Sequence, residues 1–206
     1  MNGGTLKDFL SNRLSATSNS ESLTSDVKFA GVLVALFWKN NSWQILLNLR
    51  SSTVAEHKNE VAFPGGRLEP DDVDIQACAL REAHEEMGIQ ATDVTVLGHL
   101  DVVVTRTGYA VSPIVGIIPS PYEFEVSVDE VQEVIEVPLI ELLDPKNIRH
   151  EARLNFLQEL EETLSFAYED KLIYGATAKI INQLLELIFE AKNMGISITA
   201  EESVRI

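Results

Sequence analysis

Gly65-Gly66-Arg67-Leu68-Glu69-Pro70-Asp71-Asp72 and, after eight further residues, Arg81-Glu82-Ala83-His84-Glu85-Glu86-Met87-Gly88-Ile89 together decide how this 206-residue chain is read. Ile75 to Met87 holds helix formers and no Gly or Pro. Gly88 stands just beyond, where a left-handed closing residue belongs, and Asp72 or Asp74 can cap the start. At about 100° per residue, Glu82 and Glu86 fall within roughly 40° of each other, with Glu85 on their flank. Ala79, Leu80, Ala83 and Met87 make the neighbouring apolar stripe, and the small Cys78 and Ala79 leave room one turn earlier. Like charges four residues apart cost a helix a few tenths of a kcal/mol each. The helix C-terminus disfavours anions as well. Arg81 can offset one carboxylate, most easily Glu85. Acidic runs on helices are usually solvated faces, but three unfavourable choices in five residues point to a compensating cation. A hard divalent ion such as Mg²⁺ or Mn²⁺ takes carboxylate oxygens and keeps positions open for phosphate and water. Gly65-Gly66 after Phe63-Pro64 permits a sharp turn that brings backbone carbonyls to the same acidic face.

Outward from that helix the pattern is mixed. Val32 to Phe37 is a continuous apolar run suited to a strand buried on both faces. Asn40-Asn41-Ser42 is turn material, and Trp43 to Leu49 completes a hairpin. Residues 50–74 show no periodicity and read as a structured loop. Strand-like stretches follow at Val94–His99, Leu100–Val104, Ala110–Pro119 and Glu133–Val137, the last ended by Pro138. The C-terminal third reads as helical, most clearly Ala176 to Lys192. Leu6, Phe9, Leu10 and Leu14 suggest a short helix in an otherwise Ser/Asn/Thr-rich lead-in. The expected organisation is therefore a lead-in over 1–27, one α/β domain over 28–192 and a tail over 193–206.

Composition narrows the class. Hydrophobic residues make up 45% and charged residues 23%, ordinary values for a globular chain. Cys78 is the one cysteine, which excludes a disulfide scaffold. His57, His99 and His150 form no zinc spacing with it. The longest apolar run, Phe29 to Trp38, is half of what a membrane span needs, and the N-terminus carries no apolar signal core. A cytoplasmic protein with no membrane partner is expected. Sixteen Lys and Arg stand against 32 Asp and Glu, a net charge of −16 that repels nucleic acid. A phosphorylated small molecule then needs a cation or a local basic cluster to bind.

The two quoted stretches resemble the Nudix box, Gly-x5-Glu-x7-Arg-Glu-(apolar)-x-Glu-Glu-x-Gly-(apolar). Gly66 matches its first glycine, and Arg81, Glu82, Ala83, Glu85, Glu86, Gly88 and Ile89 match the second half. Asp72 replaces the first Glu, and eight residues rather than seven separate it from Arg81. The resemblance implies a Nudix-type α/β/α sandwich around a mixed β-sheet, and hydrolysis of a nucleoside diphosphate linked to another moiety. It implies Glu82 and Glu86 as the main ligands of Mg²⁺ or Mn²⁺, with Glu85 and the Gly66 carbonyl supporting. Arg81 would orient the glutamates, and Glu85, Glu130 or Glu133 would take the proton of the attacking water.

Leu46-Leu47-Asn48-Leu49-Arg50-Ser51, at its spacing from Phe63-Pro64-Gly65-Gly66, also resembles the upstream motif of the coenzyme A pyrophosphatase branch. Thr105-Arg106-Thr107-Gly108-Tyr109 and Ile173-Tyr174-Gly175-Ala176-Thr177-Ala178 are similar to segments common there. Asn48, Ala55 and Asn59 depart from its Thr, Arg and Gly. The implied substrate is coenzyme A or a thioester, cut to 3′,5′-ADP and the phosphopantetheine half, with Arg50, Lys58, Arg67 and Arg106 as candidate phosphate contacts. A pyrophosphatase for ADP-ribose, a nucleotide sugar or a dinucleotide, and a non-catalytic Nudix module that binds a nucleotide or a partner, stay open beside it. Dimers are frequent among similar proteins, which leaves a homodimer open too.

Overall fold

The computed structural model describes residues 5–14, 27–51, 59–154 and 160–199. Strand β1 (Lys28–Lys39) is the spine. It runs parallel to β7 (Tyr109–Ile117) over nine register pairs, from Lys28 opposite Tyr109 to Leu36 opposite Ile117. On its other side it meets β2 (Ser42–Arg50) in an antiparallel hairpin. Asn40 and Asn41 turn that hairpin with φ of 51° and 61°, the left-handed pair a two-residue turn between twisted strands requires. The short strands β3 (Val61–Ala62) and β4 (Gly65–Arg67) pair with β2 and β1. β5 (Thr95–His99) and β6 (Val103–Val104) pair with β7, and β8 (Val131–Pro138) pairs with β2. These strands form one mixed sheet.

Alternation along β1 divides the core in two. Leu33, Ala35 and Phe37 pack on one face with Ala83, Met87 and Ile89 of helix α2 (Ile75–Met87) and its exit. Val34 and Leu36 face the opposite layer, built from α1 (Leu6–Arg13), α3 (Leu139–Leu143) and α4 (Gly175–Asn193). Helix, sheet and helix make the α/β/α sandwich. Gly31 lets α2 lie close on β1: a Cβ there would stand 2.6 Å from the Ile75 carbonyl oxygen and 3.0 Å from the Ala79 nitrogen. Asp74 caps α2 by accepting from the Ala77 N–H, and Gly88 closes it at φ 71°. The α1 residues Leu6, Phe9 and Leu10 are buried in the larger core, so this helix packs on the domain it precedes in sequence.

The helical reading of the C-terminal third needs correction. Residues 148–173 carry β9 (Ile148–Leu154), β10 (Leu160–Tyr168) and β11 (Lys171–Ile173), a three-stranded antiparallel sheet. Leu160, Glu161 and Glu162 favour helix by propensity, but the pairing of β10 with β9 is a non-local gain that overrides it. Glu169, at φ 52°, supplies the tight turn between β10 and β11. Among the described residues of that third, the short α3 and the expected α4 are helical. Among the described residues no helix is long and apolar enough to cross a membrane.

Candidate active site

Strand β4 lies antiparallel to β1, with Gly66 opposite Gly31 and Gly65 opposite Val32. Because Gly31 also receives α2, the Gly65-Gly66 turn is held directly beneath the acidic face of the helix. A Cβ on Gly66 would fall 2.3 Å from the Glu82 carboxyl carbon and 2.3 Å from its Oε1. The absent side chain is the space that the Glu82 carboxylate occupies. The Cys78 thiol donates to the Gly66 carbonyl at 3.5 Å.

Glu86 is 1% exposed and held from β2 and β4. Asn48 Nδ2 and the Gly65 N–H donate to its Oε2 at 3.0 and 3.2 Å, and Arg50 Nη1 reaches its Oε1 at 3.1 Å. Burial pushes the Glu86 carboxyl up to about 7, against the pull of Arg50 and the Gly65 N–H, while Glu82 and Glu130 push the same way as burial. Burial also raises Glu82, with Arg81 opposing it. Glu130 thus lies close enough to act electrostatically on both ligand candidates. It is anchored there by its carbonyl, which accepts from the Ser51 N–H at 2.8 Å.

Arg81 does more than the single offset expected of it. Its Nε and Nη2 grip Asp72 at 2.9 Å each, and its Nη1 reaches Glu82 and Glu85 at 3.0 Å each. Its Nη2 also donates to the Arg67 carbonyl at 3.2 Å, tying helix to turn. The fork holds the Asp72 carboxyl down at about 2, so Asp72 is the buried anchor that lets Arg81 serve the helix. Glu85 stays half-exposed and is held by Arg81.

Arg50, Gly65 and Gly66, the groups in contact with Glu86 and Glu82, line a cavity of about 850 Å³. β1, β6 and β7 form one wall, and β10, β11 and the start of α4 form the other. Arg50, Gly65, Gly66, Arg67 and Arg106 all line it. Tyr109 lines it as well, with Arg67 Cζ 5.2 Å and Lys28 Nζ 5.5 Å from its ring centroid, so this ring positions cations.

The candidates are therefore partly gathered. Glu82, Glu85, Glu86, Arg81 and Gly66 converge, with Glu130 beside them, and Arg50, Arg67 and Arg106 share the cavity. Glu133 goes elsewhere. Its carboxylate meets Lys171 Nζ at 3.1 Å, beside a smaller hollow of about 360 Å³. Lys58 and Ala55 lie outside the described residues. Asn48 was legible only as a departure from a motif, yet Leu46, Asn48 and Arg50 alternate onto one face of β2. Leu46 packs with Ala83 and Met87, so the alternation itself places Asn48 and Arg50 toward α2. Asn59 adopts φ 57°, a left-handed conformation that Asn tolerates better than most residues.

The family model for the NUDIX domain matches residues 28–160. The chain belongs to the Nudix family. Its curated relatives include the Uncharacterized Nudix hydrolase NudL of Photorhabdus laumondii, 35% identical over 184 residues, with 89% of this chain and 97% of that protein covered. The Escherichia coli (strain SMS-3-5 / SECEC) protein of the same name is 37% identical over 187 residues, covering 87% and 93%. Among solved structures, a mutT/nudix family protein from Listeria innocua matches with a TM-score of 0.52 at 16% identity, over 83% of this chain and 99% of that one. The NUDIX domain of Shewanella oneidensis NrtR, solved as a complex with ADP ribose, matches with a TM-score of 0.50 at 13% identity, over 90% and 99%. These likenesses establish the Nudix fold.

The Nudix family generally uses divalent metals, and the donors here suit one. Glu82, Glu86 and the Gly66 carbonyl offer oxygen alone. Burial pushes the Cys78 thiol up to about 11, so it supplies no thiolate to draw a softer ion. Asn48 Oδ1 is buried with no hydrogen-bond partner among the described residues, an acceptor left over beside Glu86. No three His, Cys, Asp or Glu side chains close into a cage among the described residues. Arg50 and Arg81 hold the glutamates meanwhile.

Proposed function

We propose that this Nudix protein is a Mg²⁺- or Mn²⁺-dependent pyrophosphohydrolase that cleaves the diphosphate of coenzyme A or its thioesters, giving 3′,5′-ADP and the phosphopantetheine half. The observation that carries the reading is the meeting of Glu82, Glu86 and the Gly66 turn with a cavity lined by Arg50, Arg67 and Arg106. In a chain of net charge −16, a cavity lined by Arg50, Arg67, Arg106 and Lys179 against Glu60 and Glu151 is locally basic, which suits an anion. Divalent cations there would neutralise the diphosphate and activate the water that attacks phosphorus. Glu82 and Glu86, with the Gly66 carbonyl, would hold the ion. Arg81 fixes Glu82 and Glu85 in place through its anchor on Asp72. Glu130, beside both ligands, accepts the proton of the attacking water in preference to Glu133, whose carboxylate is committed to Lys171.

Support for coenzyme A within the family comes from the upstream motif. Arg50 keeps its place, Asn59 stands where the motif has Gly in a left-handed conformation that glycine also adopts freely, and Asn48 supplies a donor where the motif has Thr. The test is hydrolysis of coenzyme A beside ADP-ribose and NADH, with Mg²⁺ and with Mn²⁺, products read by mass. Fastest cleavage of coenzyme A to 3′,5′-ADP is the expected result. Preference for either other diphosphate overturns the substrate assignment, and no turnover of any of them overturns the enzyme reading.

A further inference from the structure

We infer that Arg50 exchanges partners: it neutralises Glu86 while no divalent cation is bound, and turns to an anionic group of the ligand once one is. Binding of the cation thereby completes the anion site. The inference rests on the reading of Glu86 as a metal ligand and adds an order of events to it.

The hydrogen bonds on Glu86 are divided between its oxygens. Oε2 is fixed by two uncharged donors, Asn48 Nδ2 and the Gly65 N–H, on strands β2 and β4. Oε1 is met by Arg50 Nη1 alone among the described residues. Withdrawal of Arg50 therefore leaves the carboxylate oriented, with Oε1 open. The guanidinium is not fully engaged by its present partner. Its side chain is about one-fifth exposed, and its buried Nε has no hydrogen-bond partner among the described residues. The same side chain lines the large cavity, so it already stands between the acidic helix and the space for ligand. A guanidinium and a divalent cation repel each other and compete for Oε1. The displaced Arg50 joins Arg67 and Arg106 along the cavity, and its five donors suit a phosphate better than any residue it leaves behind. Asn48 makes the exchange workable, since a buried amide keeps hold of Glu86 in both states.

Such an exchange has a sign that a fixed supporting role lacks. If Arg50 only buttressed a ligand, its loss would weaken metal binding. If it competes, the fraction of protein able to take the ion rises when it is removed, and Mn²⁺ binds R50Q about five- to tenfold more tightly than wild type in the ligand-free protein. Free Mn²⁺ followed by electron paramagnetic resonance measures this without turnover. The Lys146→Gln variant, which removes an equal charge from an exposed side chain outside the cavity lining, controls for bulk electrostatics and is expected to stay within about twofold, as a screened surface charge should. Equal or weaker Mn²⁺ binding by R50Q, or an equal gain in K146Q, overturns the exchange.

A second arm needs no variant. Adenosine 3′,5′-bisphosphate has no diphosphate bond to cleave, and calorimetry gives its affinity with and without saturating Mn²⁺. Coupling is reciprocal, so wild type is expected to bind it about tenfold more tightly with Mn²⁺, and R50Q to lose most of that gain. Wild-type affinity that ignores Mn²⁺ overturns the inference. Wild-type protein that takes up no Mn²⁺ removes the metal reading and the exchange together. Mn²⁺ binding without the expected shift in R50Q removes the exchange alone.

Discussion

Gly66→Ala is the sharpest perturbation the site offers. The added Cβ would lie 2.3 Å from the Glu82 carboxyl carbon and 2.5 Å from its Oε2. Carbon atoms in contact sit about 3.5 Å apart, so the carboxylate must retreat by about 1.2 Å. Glu82 cannot simply swing into solvent, because it is largely buried and Arg81 holds its Oε1 at 3.0 Å. A displacement of about 1 Å in a positioned group can cost about a hundredfold in rate. Gly66 is absent from the residues at positive φ, and the clash is with a side chain, so alanine is compatible with the fold. G66A should therefore keep its Tm within a few degrees while Mn²⁺ affinity and kcat/KM fall by about ten- to a hundredfold. Gly65→Ala provides the contrast. Its Cβ would meet backbone atoms of β1, the Gly31 oxygen at 2.4 Å and the Val32 Cα at 2.6 Å, so it should lower Tm outright. Thermal melts, Mn²⁺ titration and steady-state kinetics on the two variants separate site from scaffold. A G66A protein with Mn²⁺ affinity and turnover within about threefold of wild type would refute the placement of Glu82 over Gly66.

Further outcomes follow from the same geometry. Glu86 is raised from 4.5 to about 7 by burial, so the folded metal-free protein holds a proton that the unfolded chain releases; its stability should fall as pH rises from about 4.5 to about 7. Denaturant unfolding in chelator should show that slope, and E86Q should flatten it. Asn48→Leu removes the buried donor to Glu86 and should weaken Mn²⁺ binding about ten- to a hundredfold, whereas Asn48→Thr retains a donor and should keep most of it, both read by titration. Arg81→Lys replaces a fork that grips Asp72, Glu82 and Glu85 with a single point charge, and should cost about 1–2 kcal/mol in unfolding free energy along with turnover.

The helix and the box were legible because local chemistry determines them. Asp74, Gly88 and the stripe of Ala79, Ala83 and Met87 specify α2 without reference to the rest of the chain. The hairpin of β1 and β2 declared itself through its apolar run and its two asparagines. What escaped was non-local. Strands β9 to β11 exist by pairing with one another, and their Leu/Glu composition mimics a helix. β3 and β4, of two and three residues, are too short to show a period, yet β4 carries the glycine turn that builds the site. Arg81 looked like a partner for one glutamate because helix spacing reveals Glu85 but not Asp72, which reaches it across the N-terminal loop. Glu130 and Glu133 looked equivalent in sequence. Only the turn into β8, where Ser51 holds the Glu130 carbonyl, sets Glu130 beside α2 while Glu133 meets Lys171.

The claim that a divalent cation on Glu82 and Glu86 drives diphosphate cleavage is tested most directly by Glu86→Gln. The substitution keeps size and burial and removes the charge that binds the ion. Mn²⁺ binding and turnover of the best diphosphate substrate are expected to fall together by at least about a hundredfold, beyond the cost of losing a supporting hydrogen bond. An E86Q protein that folds, binds Mn²⁺ as wild type does and turns over at the full rate would contradict the account.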